Sequence, residues 1–240
     1  MGTRPSHAAT SLPFEKDFFK RFDWTIDYVG NPVLDAVKAH KSDPDFLRKH
    51  GLSSNKLVAL LPGSRKQELR RIVPLMAEIA QRNPNIQFGV ATVDHLDESL
   101  YDQLTKFNNV RLIYDRTYDL LSHATAAVVT SGTATLETAL WKVPQVVVYR
   151  LRSLEYMVLK QLVKVNYISL VNLIADKLVV KELIHDQANV ETLNAELQKL
   201  IGDEKYREQM QADYNKISTT LDIGSASENA ALLMVKYLGK

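Results

Sequence analysis

Two stretches far apart in the chain carry the residue types best suited to chemistry. Pro62-Gly63-Ser64-Arg65 and Thr130-Ser131-Gly132-Thr133-Ala134-Thr135 each follow an apolar block and precede a helix-like pattern. A helix start leaves its first backbone N–H groups without intrahelical partners. Small residues there let an anion approach those groups, and serine or threonine hydroxyls add donors of their own. The same residues make ordinary N-caps. From spacing alone both uses stay open for Gly63, Ser64, Ser131, Gly132, Thr133, Ala134 and Thr135. Arg65 adds a guanidinium to the first turn, where either an exposed charge or a phosphate contact is open. Neither turn is a familiar nucleotide fingerprint, because GxxxxGK[ST] and GxGxxG are both absent.

Glu137 extends the second turn. It stands four residues after Thr133 and two after Thr135, off the three-residue offset of a capping box. A carboxylate so placed either favours the helix dipole or accepts hydrogen bonds from vicinal hydroxyls, as acidic groups do for ribose. Arg150 ends the next apolar block, as a strand-end charge or a ligand contact. Asn172 is an amide among apolar neighbours in YISLVNLI. Unpaired, it would cost about 1–3 kcal/mol, so it bonds either to backbone or to a ligand. Asp43-Pro44-Asp45 spells an acidic triplet found in metal-dependent sugar transferases, but no strand precedes it and it reads as a solvated loop. With no cysteine in the chain, disulfides, thiolate metal sites and cysteine nucleophiles are excluded, and neither metal nor cofactor is expected.

The elements that must position these residues alternate between strand and helix. Apolar blocks at Lys56–Leu61, Ile86–Ala91, Val110–Tyr114, Ala126–Val129 and Gln145–Arg150 read as strands buried on both faces. Helical patterns follow each turn, at about 65–79, Asp97–Phe107, Thr117–His123 and Ala134–Trp141, with Pro74 implying a kink or a fresh helix start. Such alternation predicts right-handed crossovers, an α/β doubly wound parallel sheet, and ligands at the carboxyl ends of its strands. Both loaded turns fall at that edge. Ahead of them, Leu12–Phe22 places Phe14, Phe18 and Phe22 on one helical stripe expected to be core, Ile26–Val29 is a short strand, Val33–Ala39 a helix and Lys41–Asn55 a linker. Beyond them come a helix at Leu154–Val163 and three at Val190–Ile201, Glu204–Ile217 and Ser225–Leu238. Met1–Thr10 is unpatterned and reads as a tag or disordered remnant. A net charge of +2 argues against a nucleic-acid coat, and no apolar run approaches the ~20 residues of a membrane span.

In their order and spacing, LPFEKDFF, VGNPVLDA, LLPGSRKQE, TSGTATLE, VVVYR and VKVNYISLVNLIADKLVVKEL closely resemble the lipid-A-disaccharide synthases, a family of bacterial glycosyltransferases. The match runs from about Leu12 to the C-terminus. Val171, Asp176 and Lys177 stand where members usually carry a proline and a Gly-Arg pair. The resemblance implies a GT-B architecture of two Rossmann-like lobes. Residues 11–40 would end the acceptor lobe, 41–220 would form the UDP-sugar-binding lobe, and 221–240 a C-terminal helix. It further implies transfer of diacylglucosamine from UDP-2,3-diacylglucosamine to 2,3-diacylglucosamine 1-phosphate. Arg65 and Asn172 would be needed for activity, the Gly63-Ser64 and Ser131–Thr135 turns would hold phosphates, and Glu137 would hold the ribose. Arg150 would be a further substrate contact. The general base would lie on an N-terminal lobe outside this chain. The setting implied is the cytoplasmic face of the inner membrane, with a homodimer as a further expectation. Two alternatives stand beside this reading: another UDP-sugar enzyme of the same architecture, such as a UDP-N-acetylglucosamine transferase or epimerase, and a non-catalytic nucleotide-binding module.

Overall fold

A computed structural model describes residues 7–53, 56–150 and 167–238. The chain opens with a small unit of β1 (Ala9–Thr10), α1 (Phe14–Lys20), β2 (Asp27–Tyr28) and α2 (Pro32–Ala39), in which β1 and β2 pair in parallel. Pro32 sits at the start of α2, where its missing N–H is harmless. The Asn31 side chain caps the helix by accepting from the N–H groups of Val33 and Leu34. The segment expected to be a remnant therefore contributes at its end: Ala9 and Thr10 form a strand, and the His7 ring stacks on Tyr237. The aromatic stripe is also corrected. No residue of α1 is buried, and Phe18 and Phe22 are 50% and 57% exposed. Periodicity marks an apolar face without saying that anything covers it.

After α3 (Phe46–Lys49), a short helix inside the expected linker, the main sheet begins. Its strands are β3 (Leu57–Leu61), β4 (Gln87–Thr92), β5 (Val110–Tyr114), β6 (Ala126–Thr130), β7 (Gln145–Tyr149) and β8 (Lys181–Ile184). They lie side by side as β5-β4-β3-β6-β7-β8, every pair parallel, with Leu60 opposite both Val90 and Val128. Alternate side chains serve opposite faces. In β3, Val58 and Leu60 join Leu69, Ile72 and Met76 of α4 (Lys66–Arg82), whereas Leu57, Ala59 and Leu61 meet Phe46 and, from α6 (Thr117–His123), Leu120 and Leu121. Both β3 and β6 are buried at every position, which explains their unbroken apolar sequence.

The remaining helices are α5 (Asp102–Thr105), preceded by a 3₁₀ turn at Glu98–Tyr101, α7 (Thr133–Leu140), α8 (Leu170–Ala175), α9 (Val190–Gly202), α10 (Glu204–Leu221) and α11 (Ala226–Leu238). α4 is one uninterrupted helix with Pro74 inside it. β8 escaped notice because KELI has no apolar run, as suits an edge strand. The helix expected at Leu154–Val163 lies outside the described residues. Among the described residues, no helix is long and apolar enough to cross a membrane.

One buried charge ties the linker to the sheet. Asp119 on α6, 1% exposed, accepts from the Asp43 N–H at 2.8 Å, from His40 Nε2 at 3.2 Å and from Arg116 at 3.3 Å. Burial opposes its ionisation, but the three donors together hold its carboxyl below the usual range. Asp43 itself accepts from the Asp45 N–H and from Lys49, so the acidic triplet is a turn leading into α3.

Candidate functional site

Strand order reverses direction at β3. From there the chain runs outward through β4 to β5, returns to β6 on the other side of β3, and continues outward to β8. The crevice between the carboxyl ends of β3 and β6 is thus the topological switch point, where open α/β sheets bind ligands. Both loaded turns open into it. Gly63, Ser64 and Arg65 after β3, and Ser131, Gly132, Thr133 and Ala134 after β6, line a single pocket of about 340 Å³. Two turns almost seventy residues apart meet because β3 and β6 are hydrogen-bonded neighbours of equal polarity.

Neither helix that starts here is capped by a side chain. Arg65 at the start of α4 and Gly132 at the start of α7 both lack a capping hydrogen bond. Nearby, the Ser131 hydroxyl donates to the Ile168 carbonyl at 3.0 Å, and that of Thr135, inside α7, to the Gly132 carbonyl at 2.8 Å. Two positive helix ends with unspent N–H groups therefore face one pocket, an arrangement suited to an anion. Thr130, also lining it, has a buried hydroxyl with no hydrogen-bond partner among the described residues.

Both glycines are required by backbone geometry. Gly63 has φ +100° and Gly132 φ +143°, values L side chains rarely adopt. A Cβ on Gly63 would lie 2.5 Å from Glu68 Oε2, whereas one on Gly132 would meet nothing within 4 Å. Gly63→Ala is accordingly expected to cost about 1–3 kcal/mol and to displace the Glu68 carboxylate that accepts from Arg65 at 3.2 Å. Gly132→Ala carries a comparable backbone cost, because φ +143° with ψ −161° is essentially confined to glycine. Thermal melts should show a loss for both variants, and an unchanged melting temperature in either would refute the backbone argument.

Glu137 closes the far wall. Burial pushes its carboxyl pKa up, and a hydrogen bond from the Tyr118 hydroxyl, at 2.9 Å, partly restores the charged form. Tyr118 in turn has its phenol pKa raised by burial and by the Glu137 charge. Sequence reasoning did not single out Tyr118, Thr130 or Glu68 as site residues. Glu68 had a signal, three residues beyond Arg65 in the loaded turn; Tyr118 had none, since it arrives from another helix.

Three expected contacts lie elsewhere. Thr135 is fully buried with its hydroxyl turned back to Gly132, because the third residue of α7 faces inward. Arg150 reaches away from this pocket, donating to the Ala188 carbonyl at 2.9 Å. Asn172 is fully buried on α8. Its Nδ2 donates to the Val180 carbonyl and to Glu182, and its Oδ1 accepts from the N–H groups of Val179 and Val180. Every donor and acceptor of the amide is used inside the fold. Among the described residues, no three His, Cys, Asp or Glu side chains group as metal ligands.

The family model described as lipid-A-disaccharide synthetase matches residues 7–235. Lipid-A-disaccharide synthase of Syntrophus aciditrophicus is 39% identical over 97% of the chain, and that of Geobacter sulfurreducens 33% identical over all of it. The chain belongs to the lipid-A-disaccharide synthetase family. It spans 63% and 64% of the length of those two relatives. Among solved structures, a UDP-GlcNAc 2-epimerase from Neisseria meningitidis bound to UDP-GlcNAc superposes with a TM-score of 0.67 at 16% identity, covering 96% of this chain and 61% of that one. The calicheamicin glycosyltransferase CalG4 gives 0.59 at 18% identity, covering 99% and 53%. These likenesses establish the Rossmann-like α/β fold that the family shares with such proteins.

Proposed function

We propose that this chain is the nucleotide-sugar half of a glycosyltransferase that moves diacylglucosamine from UDP-2,3-diacylglucosamine to the 6-hydroxyl of 2,3-diacylglucosamine 1-phosphate, with inversion and release of UDP. The observation that supports it most is the meeting of two uncapped helix starts in one pocket at the switch point of the sheet. Displacement at the sugar carbon leaves negative charge growing on the departing diphosphate. The N–H groups at Gly132–Ala134 and Gly63–Arg65, with the Arg65 guanidinium, offset that charge, and they do so without reorganising as the bond breaks. Glu137 accepts hydrogen bonds from the ribose hydroxyls. In this reading residues 11–40 close the acceptor lobe, 41–220 form the donor lobe, and the general base comes from the third of the relatives' length that this chain does not span. The acyl chains of both substrates put the complete protein at the cytoplasmic face of the inner membrane, acting as a homodimer.

The fold likeness to an epimerase does not favour epimerisation, because the same likeness extends to a glycosyltransferase. Family membership favours transfer, and product analysis with acylated and unacylated donors separates the two.

The test is a calorimetric titration of this chain with UDP, UMP and uridine. A diphosphate held by charge-assisted bonds, worth about 1.5–3 kcal/mol each, should make UDP bind at least tenfold more tightly than UMP, with uridine weakest. Equal affinities for all three would remove the diphosphate pocket and the function with it. The chain alone is expected to make no disaccharide; turnover would refute the placement of the base.

A further inference from the structure

A second depression, of about 750 Å³, lies on the same rim and has no part in the scheme so far. Its floor is one stripe of α4: Gln67, Arg70, Arg71 and Pro74, spaced i, i+3, i+4 and i+7 on a single helical face. Arg150 at the end of β7 and His185 and Asn189 beyond β8 form the opposite wall. Gly63, Arg65 and Glu68, at the start of the same helix, belong to the first pocket. The helix thus separates two cavities, and six residues at about 1.5 Å each put Arg71 on the order of 10 Å along the axis from Arg65.

The second depression is cationic, and its charge is held in place. Arg150 is half-buried, fixed by its bond to the Ala188 carbonyl and a longer one, 3.5 Å, to that of Arg71. These are neutral acceptors. Among the described residues no carboxylate pairs with Arg150 or Arg70. The one carboxylate among the lining residues, Asp186, is largely in solvent and pairs with His185 at 3.3 Å. A guanidinium anchored on backbone carbonyls beside a second, exposed one on Arg70 is a fork suited to a planar oxyanion face.

We propose that this depression on the donor lobe binds the phosphate monoester of the second substrate, the sugar 1-phosphate acceptor, reaching across to it from the acceptor lobe that holds the rest of that substrate, while the first pocket holds the donor diphosphate. The assignment of the ester to the acceptor rests on the proposed reaction; the phosphate site itself rests on Arg70 and Arg150. In a sugar-to-sugar transfer the acceptor's 1-phosphate sits one ring away from the leaving diphosphate. Two anions must then be held apart on one rim, and separate cavities on two sides of α4 do this without setting their charges side by side.

The experiment titrates this chain with α-D-glucosamine 1-phosphate, inorganic phosphate and glucosamine, each with and without saturating UDP. Glucosamine 1-phosphate should bind in the presence of UDP, at least tenfold more tightly than inorganic phosphate, and glucosamine should show no binding. Arg70→Ala and Arg150→Lys should each weaken it at least fivefold and leave UDP affinity within twofold. Arg70 is exposed, so its variant carries the test if Arg150 variants fold poorly. Competition between glucosamine 1-phosphate and UDP would show one shared pocket and overturn the proposal. So would normal UDP binding with no glucosamine 1-phosphate binding, which leaves the donor-site reading standing. Inorganic phosphate binding as tightly as the sugar phosphate would overturn the acceptor assignment. Loss of UDP binding in the unaltered chain alone would instead fall on the proposed function.

Discussion

Glu137→Gln is expected to raise the melting temperature of this chain at neutral pH and, in the same sample, to weaken UDP binding about tenfold. Both effects come from burial of one carboxylate. Burial holds the folded-state pKa of Glu137 above its unfolded value, with the Tyr118 hydrogen bond only partly offsetting it. The folded state therefore binds the proton more tightly than the unfolded one. That contribution to stability is fully present below the unfolded pKa and is lost as pH rises through the folded pKa. At neutral pH the ionised side chain is thus a cost that glutamine does not carry, and glutamine keeps an oxygen for the Tyr118 hydroxyl. A group that destabilises its own fold is a common mark of a functional position.

The ligand side has the opposite sign. A carboxylate accepts two ribose hydroxyls, whereas an amide offers one acceptor and presents a donor in place of the other. UDP affinity should also fall on acidification, beginning above the pH at which an ordinary glutamate titrates, and Glu137→Gln should abolish that dependence. Tyr118→Phe removes the bond that favours the charged form and should move the fall to higher pH. Melts and titrations across the acid range check all three. A Glu137→Gln variant that binds UDP as the parent does would remove ribose recognition from this residue, whatever its stability.

The parts of this fold that were legible in sequence share a physical cause. β3 and β6 are covered on both faces, so LVALL and AAVVT announce themselves as apolar blocks, and the small residues after each mark where backbone must approach something closely. Parallel pairing then brings Gly63 and Gly132 to one edge as a matter of topology, before any contact is known. What failed was whatever depends on rotation about a helix or on a partner from elsewhere. Thr135 is two residues from Thr133, and a helical turn of about 100° per residue suffices to carry it from the rim into the core. Tyr118 meets Glu137 across nineteen positions, which no local pattern encodes. β8 and α3 carry too little apolar sequence to be seen alone, and the α1 stripe shows the reverse error, an apolar pattern whose Phe18 and Phe22 are exposed. Arg150 was placed at the correct edge, but its guanidinium reaches toward Ala188 rather than toward the turns.

Asn172→Ala is expected to lower stability by roughly 3 kcal/mol or more while leaving UDP affinity of the folded chain within about twofold. The amide, itself fully buried, is a four-way clasp on the turn between α8 and β8, where Val179 and Val180 are buried and Asp176, Lys177 and Leu178 are exposed. Removing the amide strands the Val180 N–H, its partner carbonyl on Val180 and one bond to Glu182, while the Val179 N–H keeps only its bond to the Lys177 carbonyl at 3.0 Å. Each buried group left unpaired costs about 1–3 kcal/mol. For a chain of this size every kcal/mol moves the melting temperature by about 2–4 °C, so a fall of about 6–12 °C should be seen. Asn172→Asp should not rescue it: the acceptors remain, but both donors are lost and a second carboxylate faces Glu182, whose oxygens already accept from the N–H groups of Ile168 and Ser169. Only an amide satisfies two donors and two acceptors at once, and this accounts for asparagine here without contact to a substrate. A role in chemistry predicts the reverse, a variant of unchanged melting temperature whose complete enzyme no longer turns over, and that result would return Asn172 to the reaction.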